Sequence, residues 1–258
     1  MCPPCDIGKR SLFEHTEGTA EIGKNIADGP YGTVASSRLT YMGLNTSKED
    51  FVKNTVIACV MHDIGKASVI YQEKFDEGCN PKGHPSFFGH EIISAAYTYH
   101  LLYDLIDYKQ LILLTLAVLN HMHAAGRYIG SDAFRMGLQQ LCKRDDYFRL
   151  HAGVSTIFKL LPDNSLVEKV EERSKSQDHL TKITCRQAKD AMENLCQEIR
   201  RLRNKWPKLY TLYLTPLSVG DILDAEKRVD TQESETRKRF REELKAILNN
   251  KEVELNEN

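Results

Sequence analysis

The sequence predicts an all-α protein, a helical bundle with a metal centre between its helices. Apolar residues recur at helical spacing through most of the 258 residues, bounded by capping residues, Gly and Pro. No Gly-rich loop of the phosphate- or dinucleotide-binding kind interrupts them. Histidines at 15, 62, 90, 121 and 123 lie in helix-compatible segments, and a centre fed by one ligand from each of several helices needs that scatter.

Taken in order, Leu12–Ala27 reads as the first helix, with His15 near its start. Gly29-Pro30-Tyr31-Gly32 breaks it, and a looser stretch follows. Thr46-Ser47-Lys48-Glu49 has the form of a capping box ahead of Phe51, Val52, Val56, Val60 and Met61, which share one face up to His62; Gly65 ends that helix. Residues 76–85 are turn chemistry. Ser86 starts a helix to about Tyr108 that carries His90. Leu111–Asn120 is apolar on all sides, hence the most buried helix, and delivers His121 and His123. Shorter helices are expected over 131–142 and 147–161, longer polar ones over 165–179 and 184–204. A last helix from about Leu217 carries Asp221 and Asp224. The domain division expected is 1–230, then a charged helical tail at 231–258.

Composition narrows the function. Apolar residues make up 41%, enough for a sizeable core, and the net charge of −1 excludes a strongly basic chain. A local basic patch would still serve nucleic acid. The start lacks the apolar stretch of a secretory signal, and the run near Leu111–Leu119 falls short of the roughly 20 residues a membrane span needs, so a cytoplasmic location and no membrane partner are expected. Seven cysteines without framework spacing read as thiols rather than disulfides; Cys2 and Cys5 form a lone CxxC.

The chemistry concentrates in His62-Asp63-Ile64-Gly65-Lys66. Imidazole beside carboxylate suits a divalent metal that accepts N and O ligands, and a carboxylate can bridge two ions. Lys66 is either a cation that holds a phosphate or a helix-terminal lysine favoured by the macrodipole. Asp221 and Asp224, three apart, share one helical face; either would supply a further carboxylate, and both also fit as ordinary helix-terminal acids. Arg127, just past the histidine pair, is a candidate phosphate contact. Arg200, Arg201, Arg203, Lys205 and Lys208 around Trp206 and Tyr210 are either a strand-gripping patch or a solvated face.

Glu14-His15-Thr16-Glu17-Gly18, His62-Asp63-Ile64-Gly65-Lys66-Ala67 with Tyr71-Gln72, Gly89-His90-Glu91-Ile92-Ile93-Ser94-Ala95, His121-Met122-His123 and Gly220-Asp221-Ile222-Leu223-Asp224 together resemble the HD-domain nuclease of type I CRISPR interference, in its stand-alone form, over about residues 8–230. The resemblance implies an HD-domain helical bundle and a metal-dependent nuclease that cuts DNA, chiefly single strands, working with a separate helicase subunit and a guide-RNA surveillance complex. It implies one metal held by His15, His62, Asp63 and Asp221, and a second held by Asp63, His90 and His121, with His123 as neighbour or substitute. Asp63 and Lys66 become the catalytic pair, with Lys66 beside the phosphate; Arg127 is added as a substrate contact from its position alone. Two ions are expected, from Mn²⁺, Ni²⁺, Co²⁺, Fe²⁺ or Mg²⁺, with histidine ligands favouring the softer ones. RNA remains a possible substrate, and an HD phosphohydrolase acting on a nucleotide or cyclic nucleotide is the alternative with nearly the same ligands. Because histidine ligands must be neutral, activity is expected to fall below about pH 6.

Overall fold

The computed structural model describes residues 4–6, 10–83, 85–122, 133–143, 146–176, 182–201 and 208–225, with Arg239, Glu242 and Glu243. Two short strands, β1 (Cys5–Asp6) and β2 (Arg10–Ser11), pair antiparallel and lead into α1 (Leu12–Asp28). Ser11 caps α1: its Oγ accepts from the Glu14 N–H at 3.2 Å, and the Glu14 carboxylate accepts from the Ser11 N–H at 2.9 Å. Where a loose stretch was expected stands α2 (Pro30–Tyr41). Pro30 occupies its first turn, where the missing N–H costs nothing and φ is already helical, so a turn-like Gly-Pro-x-Gly here starts a helix.

The capping box of α3 (Lys48–Met61) lies one residue beyond the expected one, on Ser47 and Asp50. Thr46 does not cap because its hydroxyl donates to Leu44 O and accepts from Gln110 Nε2 at 2.7 Å. Thr55 to Met61 are buried without interruption, so α3 is a central helix rather than a one-faced one. A 3-10 turn, Ile64–Ala67, follows, then α4 (Val69–Gln72). Gly65 sits inside that turn: a Cβ there would stand 2.3 Å from the His90 carbonyl oxygen, and its N–H donates to Ser94 Oγ at 2.8 Å. Glycine thus lets the turn lie directly on α5 (His90–Leu102).

The helix expected to run to Tyr108 stops at Leu102. A separate α6 (Tyr108–Asn120) starts after Asp107, whose carboxylate accepts from the N–H groups of Lys109 and Gln110. Beyond α7 (Ala133–Cys142), the expected helix over 147–161 opens instead as a strand, β3 (Tyr147–Arg149), paired antiparallel with β4 (Lys182–Thr184). Only α8 (Ser155–Phe158) is α-helical there. Two polar helices follow, α9 (Asn164–Ser176) and α10 (Cys185–Arg201).

The last described long helix, α11 (Thr211–Asp224), begins before the expected Leu217 and runs through Pro216. Proline removes the N–H that would serve the Leu212 carbonyl, and the Tyr31 hydroxyl donates to it instead at 2.9 Å. Gly220 lets α11 lie against α1: a Cβ there would stand 2.6 Å from Thr19 O. The core is built from α1, α3, α5, α6 and α11.

The thiol reading is corrected. Cys5 pairs with Cys79 and Cys142 with Cys185, leaving Cys59 and Cys196 as thiols among the described residues. Partners 74 and 43 residues apart show no spacing signature. Cys2, His123, Arg127, Trp206 with its basic neighbours Arg203 and Lys205, and nearly all of the tail at 231–258 lie outside the described residues. No described helix is long and apolar enough to cross a membrane.

Candidate metal centre

Five helix ends converge on one buried spot. His15 lies in the first turn of α1, His62 and Asp63 close α3, His90 opens α5, His121 follows α6, and Asp221 lies in the last turn of α11. All six side chains are buried. Local geometry aims three of the rings. His62 Nδ1 donates to Cys59 O at 2.6 Å, His90 Nδ1 to Phe87 O at 2.7 Å, and His121 Nδ1 to Val118 O at 2.7 Å. A carbonyl only accepts, so Nδ1 carries the proton and the neutral ring turns the Nε2 lone pair inward. His15 reaches the same orientation through a side chain: its Nδ1 lies 2.8 Å from Asp224 Oδ2.

Asp63 divides the centre in two. Its Oδ2 lies 3.2 Å from His15 Nε2 and 3.2 Å from His62 Nε2, while its Oδ1 lies 3.0 Å from His90 Nε2 and 3.4 Å from His121 Nε2. Asp221 Oδ1 joins the first set, 3.2 Å from His15 Nε2 and 4.0 Å from His62 Nε2. Within His15, His62 and Asp63, and again within Asp63, His90 and His121, ligand atoms lie within 4.8 Å of one another.

The donors fit cations. His62 Nε2 and both Asp63 oxygens are buried and close no hydrogen bond of good geometry, although charged groups stand near. His90 Nε2 faces His121 Nε2 at 3.3 Å, and two inward lone pairs at that distance repel unless a positive charge lies between them. A mixed N and O set suits a borderline divalent ion.

The site's charge is set by burial against close partners. Burial alone would raise Asp63, but the field of the nearby His62 and Lys66, with close contacts from His121 and His15, holds it well below the usual carboxylate range. Asp221 is lowered too: burial opposes its charge, and His15 outweighs that. Burial works against a charge on His15, yet bonds to Asp221, Asp224 and Asp63 raise it to about 10. Without metal, His15 is therefore a proton-bearing cation among three carboxylates.

Lys66 is buried and turned inward. Its Nζ lies 2.6 Å from Asp63 Oδ2, 3.3 Å from Asp6 Oδ1 and 5.3 Å from the Phe87 ring centre. Gln72 explains how Asp6 arrives there. Its Nε2 donates to Lys66 O and Cys5 O, and its Oε1 accepts from the Cys5 N–H at 2.7 Å, which ties β1 to the 3-10 turn. Sequence reasoning passed over Asp6 and Arg10. It weighed Asp224 only as a substitute for Asp221, whereas the structure gives the two carboxylates different neighbours. Of the other histidines, His100 Nε2 meets Gln187 O and the His151 ring caps a 3-10 turn at Gly153; among the described residues neither joins a ligand group.

Known proteins are similar to this chain in sequence and fold. The HD domain family matches residues 12–147. The CRISPR-associated endonuclease Cas3-HD of Saccharolobus solfataricus is 31% identical over 236 residues, covering 87% of this chain and 89% of that protein. Among solved structures, the CRISPR-associated Cas3 HD domain protein from Methanocaldococcus jannaschii shares the fold, with a TM-score of 0.52 at 20% identity over 82% of this chain and 95% of the other.

Proposed function

The chain belongs to the HD-domain family, in its CRISPR-associated Cas3-HD branch, and from that premise we propose that it is a divalent-metal-dependent nuclease that hydrolyses DNA phosphodiester bonds, chiefly in single strands, during CRISPR interference. The observation that carries the reading is Asp63, one buried carboxylate whose two oxygens face two separate histidine sets. We assign a first ion to His15, His62, Asp63 and Asp221, a second to Asp63, His90 and His121, and keep His123 as a neighbour of the second. Bound cations would supply Lewis acidity and a lowered water pKa.

The chain's own groups do the rest. Asp63 stays anionic at neutral pH and joins the two sets. His62, His90 and His121, locked by backbone carbonyls, offer Nε2 without reorganisation. Lys66, held between Asp63 and Asp6, balances the carboxylate charge and is the ammonium nearest the reacting phosphate in this reading. Arg127 is assigned to the substrate backbone. The imidazole-rich set favours Mn²⁺, Fe²⁺, Co²⁺ or Ni²⁺ over Mg²⁺. We further propose that residues 1–230 form the nuclease domain, that the protein works in the cytoplasm, and that a separate helicase and a guide-RNA complex deliver its substrate.

The test is to strip the protein of metal, restore each ion in turn, and offer labelled single- and double-stranded DNA, RNA and a cyclic dinucleotide. Single-stranded DNA is cut fastest, and Asp63→Asn lowers the rate by about 10³-fold, the several kcal/mol of charge stabilisation that bound cations supply. Turnover of the cyclic dinucleotide with DNA left whole would move the activity to a nucleotide phosphohydrolase.

A further inference from the structure

His15 is placed differently from the other three histidines. His62, His90 and His121 each stand at a helix boundary and donate Nδ1–H to the carbonyl three residues back. His15 lies in the first turn of α1, where the preceding residue with a comparable carbonyl is already engaged: Leu12 O accepts from Thr16 Oγ1 at 2.7 Å. At its Nδ1 a carboxylate stands where the other three rings meet a carbonyl. Asp224, fully buried, puts Oδ2 2.8 Å from His15 Nδ1. Arg10 fixes that carboxylate with a two-pronged grip, Nη1 to Oδ2 at 2.6 Å and Nη2 to Oδ1 at 3.1 Å, and anchors itself on Glu14 O and Asp224 O. The guanidinium and the imidazole thus meet one carboxylate from two sides, and turning the ring over would cost the hydrogen bond from Nδ1 to that carboxylate.

We infer that Asp224, clamped by Arg10, is the positioning residue of the first metal site, holding His15 with Nδ1–H on the carboxylate and Nε2 toward Asp63 and Asp221. The inference rests on the proposed role of His15 as a ligand and deepens it. A carboxylate behind a ligating imidazole fixes the ring and makes its far nitrogen a better donor than a peptide carbonyl does, and loss of such a partner typically costs about 10–100-fold in metal affinity. Asp221 and Asp224 then have distinct tasks on one helical turn: Asp221 faces the ion, Asp224 faces the ligand.

The experiment is Mn²⁺ binding to metal-stripped protein, read by calorimetry and by bound metal after dialysis, with melting temperature and circular dichroism as controls. Wild type takes two ions. Asp224→Ala weakens one site about 10–100-fold and leaves the other within about threefold. Asp224→Asn, whose amide oxygen still accepts from Nδ1 without the charge, falls between the two and guards against an alanine variant that fails to fold. Wild-type affinity at both sites in both variants overturns the inference, and so does equal weakening of both sites in step with a fall in melting temperature. If wild type itself binds no ion, the metal reading fails and takes this inference with it.

Discussion

Gly65→Ala tests how the two halves of the centre are joined. The residue lies in a 3-10 turn, so its backbone angles do not forbid alanine; its neighbours do. The new methyl would stand 2.3 Å from the His90 carbonyl oxygen and 2.8 Å from the Ser94 nitrogen, the first more than about 1 Å inside comfortable contact. Overpacking of this kind costs about 1–3 kcal/mol. The 2.8 Å bond from the Gly65 N–H to Ser94 Oγ is lost as the turn backs away, adding about 1 kcal/mol. The sum of about 2–4 kcal/mol lowers the melting temperature by about 4–16 °C, at roughly 2–4 °C per kcal/mol for a chain of this size. The retreat also carries His90 Nε2 from Asp63 Oδ1, now 3.0 Å away, while His15 and His62 keep their places on α1 and α3. Metal distances tolerate only about 0.2 Å, so Mn²⁺ titration of the variant shows one normal site and one weakened about tenfold or more. A variant with the wild-type melting temperature, or with both sites weakened alike, would refute this account of the glycine.

Three further outcomes follow from the charges and the cross-links. His15 is raised to about 10 from an ordinary 6.5, so in the metal-free protein its contribution to stability is whole below 6.5 and fades as pH climbs toward 10. The lowered Asp221 and Asp224 act oppositely, contributing above about 4 and losing that as pH falls; melts in chelator therefore peak between about pH 4 and 6.5. Added metal reverses the alkaline limb, because an ion must displace the His15 Nε2 proton and gains about tenfold in affinity per pH unit below 10. The pH 6 threshold expected from a free imidazole moves upward for this residue, and a pH-independent Mn²⁺ affinity between 7 and 9 would contradict that. Cys5→Ser opens the Cys5–Cys79 bridge across 74 residues, worth about 4 kcal/mol in the chain-entropy account; melting temperature falls by about 10 °C, and an unchanged melt would count against the bridge.

The contiguous part of the centre was legible because its residues are neighbours in the chain: His62, Asp63, Gly65 and Lys66 form one phrase. The supporting groups were not. Arg10 meets a carboxylate 214 residues away and Asp6 an ammonium 60 residues away, and no local pattern announces such meetings. Asp221 and Asp224 could not be separated because residues three apart share a helical face; packing against α1 and Arg10 separates them. The α2 helix was missed because Gly-Pro-x-Gly serves a turn and a helix start equally well. Residues 103–107 carry apolar spacing across the gap between α5 and α6, which merged two helices into one. The strands of the β3–β4 pair are three residues each, too short for alternation to register.

The close seat of α11 on α1, permitted by Gly220, has a consequence for biosynthesis. His15 on α1 is synthesised long before Asp221 on α11, so the first cluster lacks that carboxylate until α11 emerges and docks. Domains fold as their residues leave the exit tunnel, yet this pocket cannot close before α11 is made. A product cut short before α11 therefore carries neither Asp221 nor Asp224, and its first cluster stays unfinished.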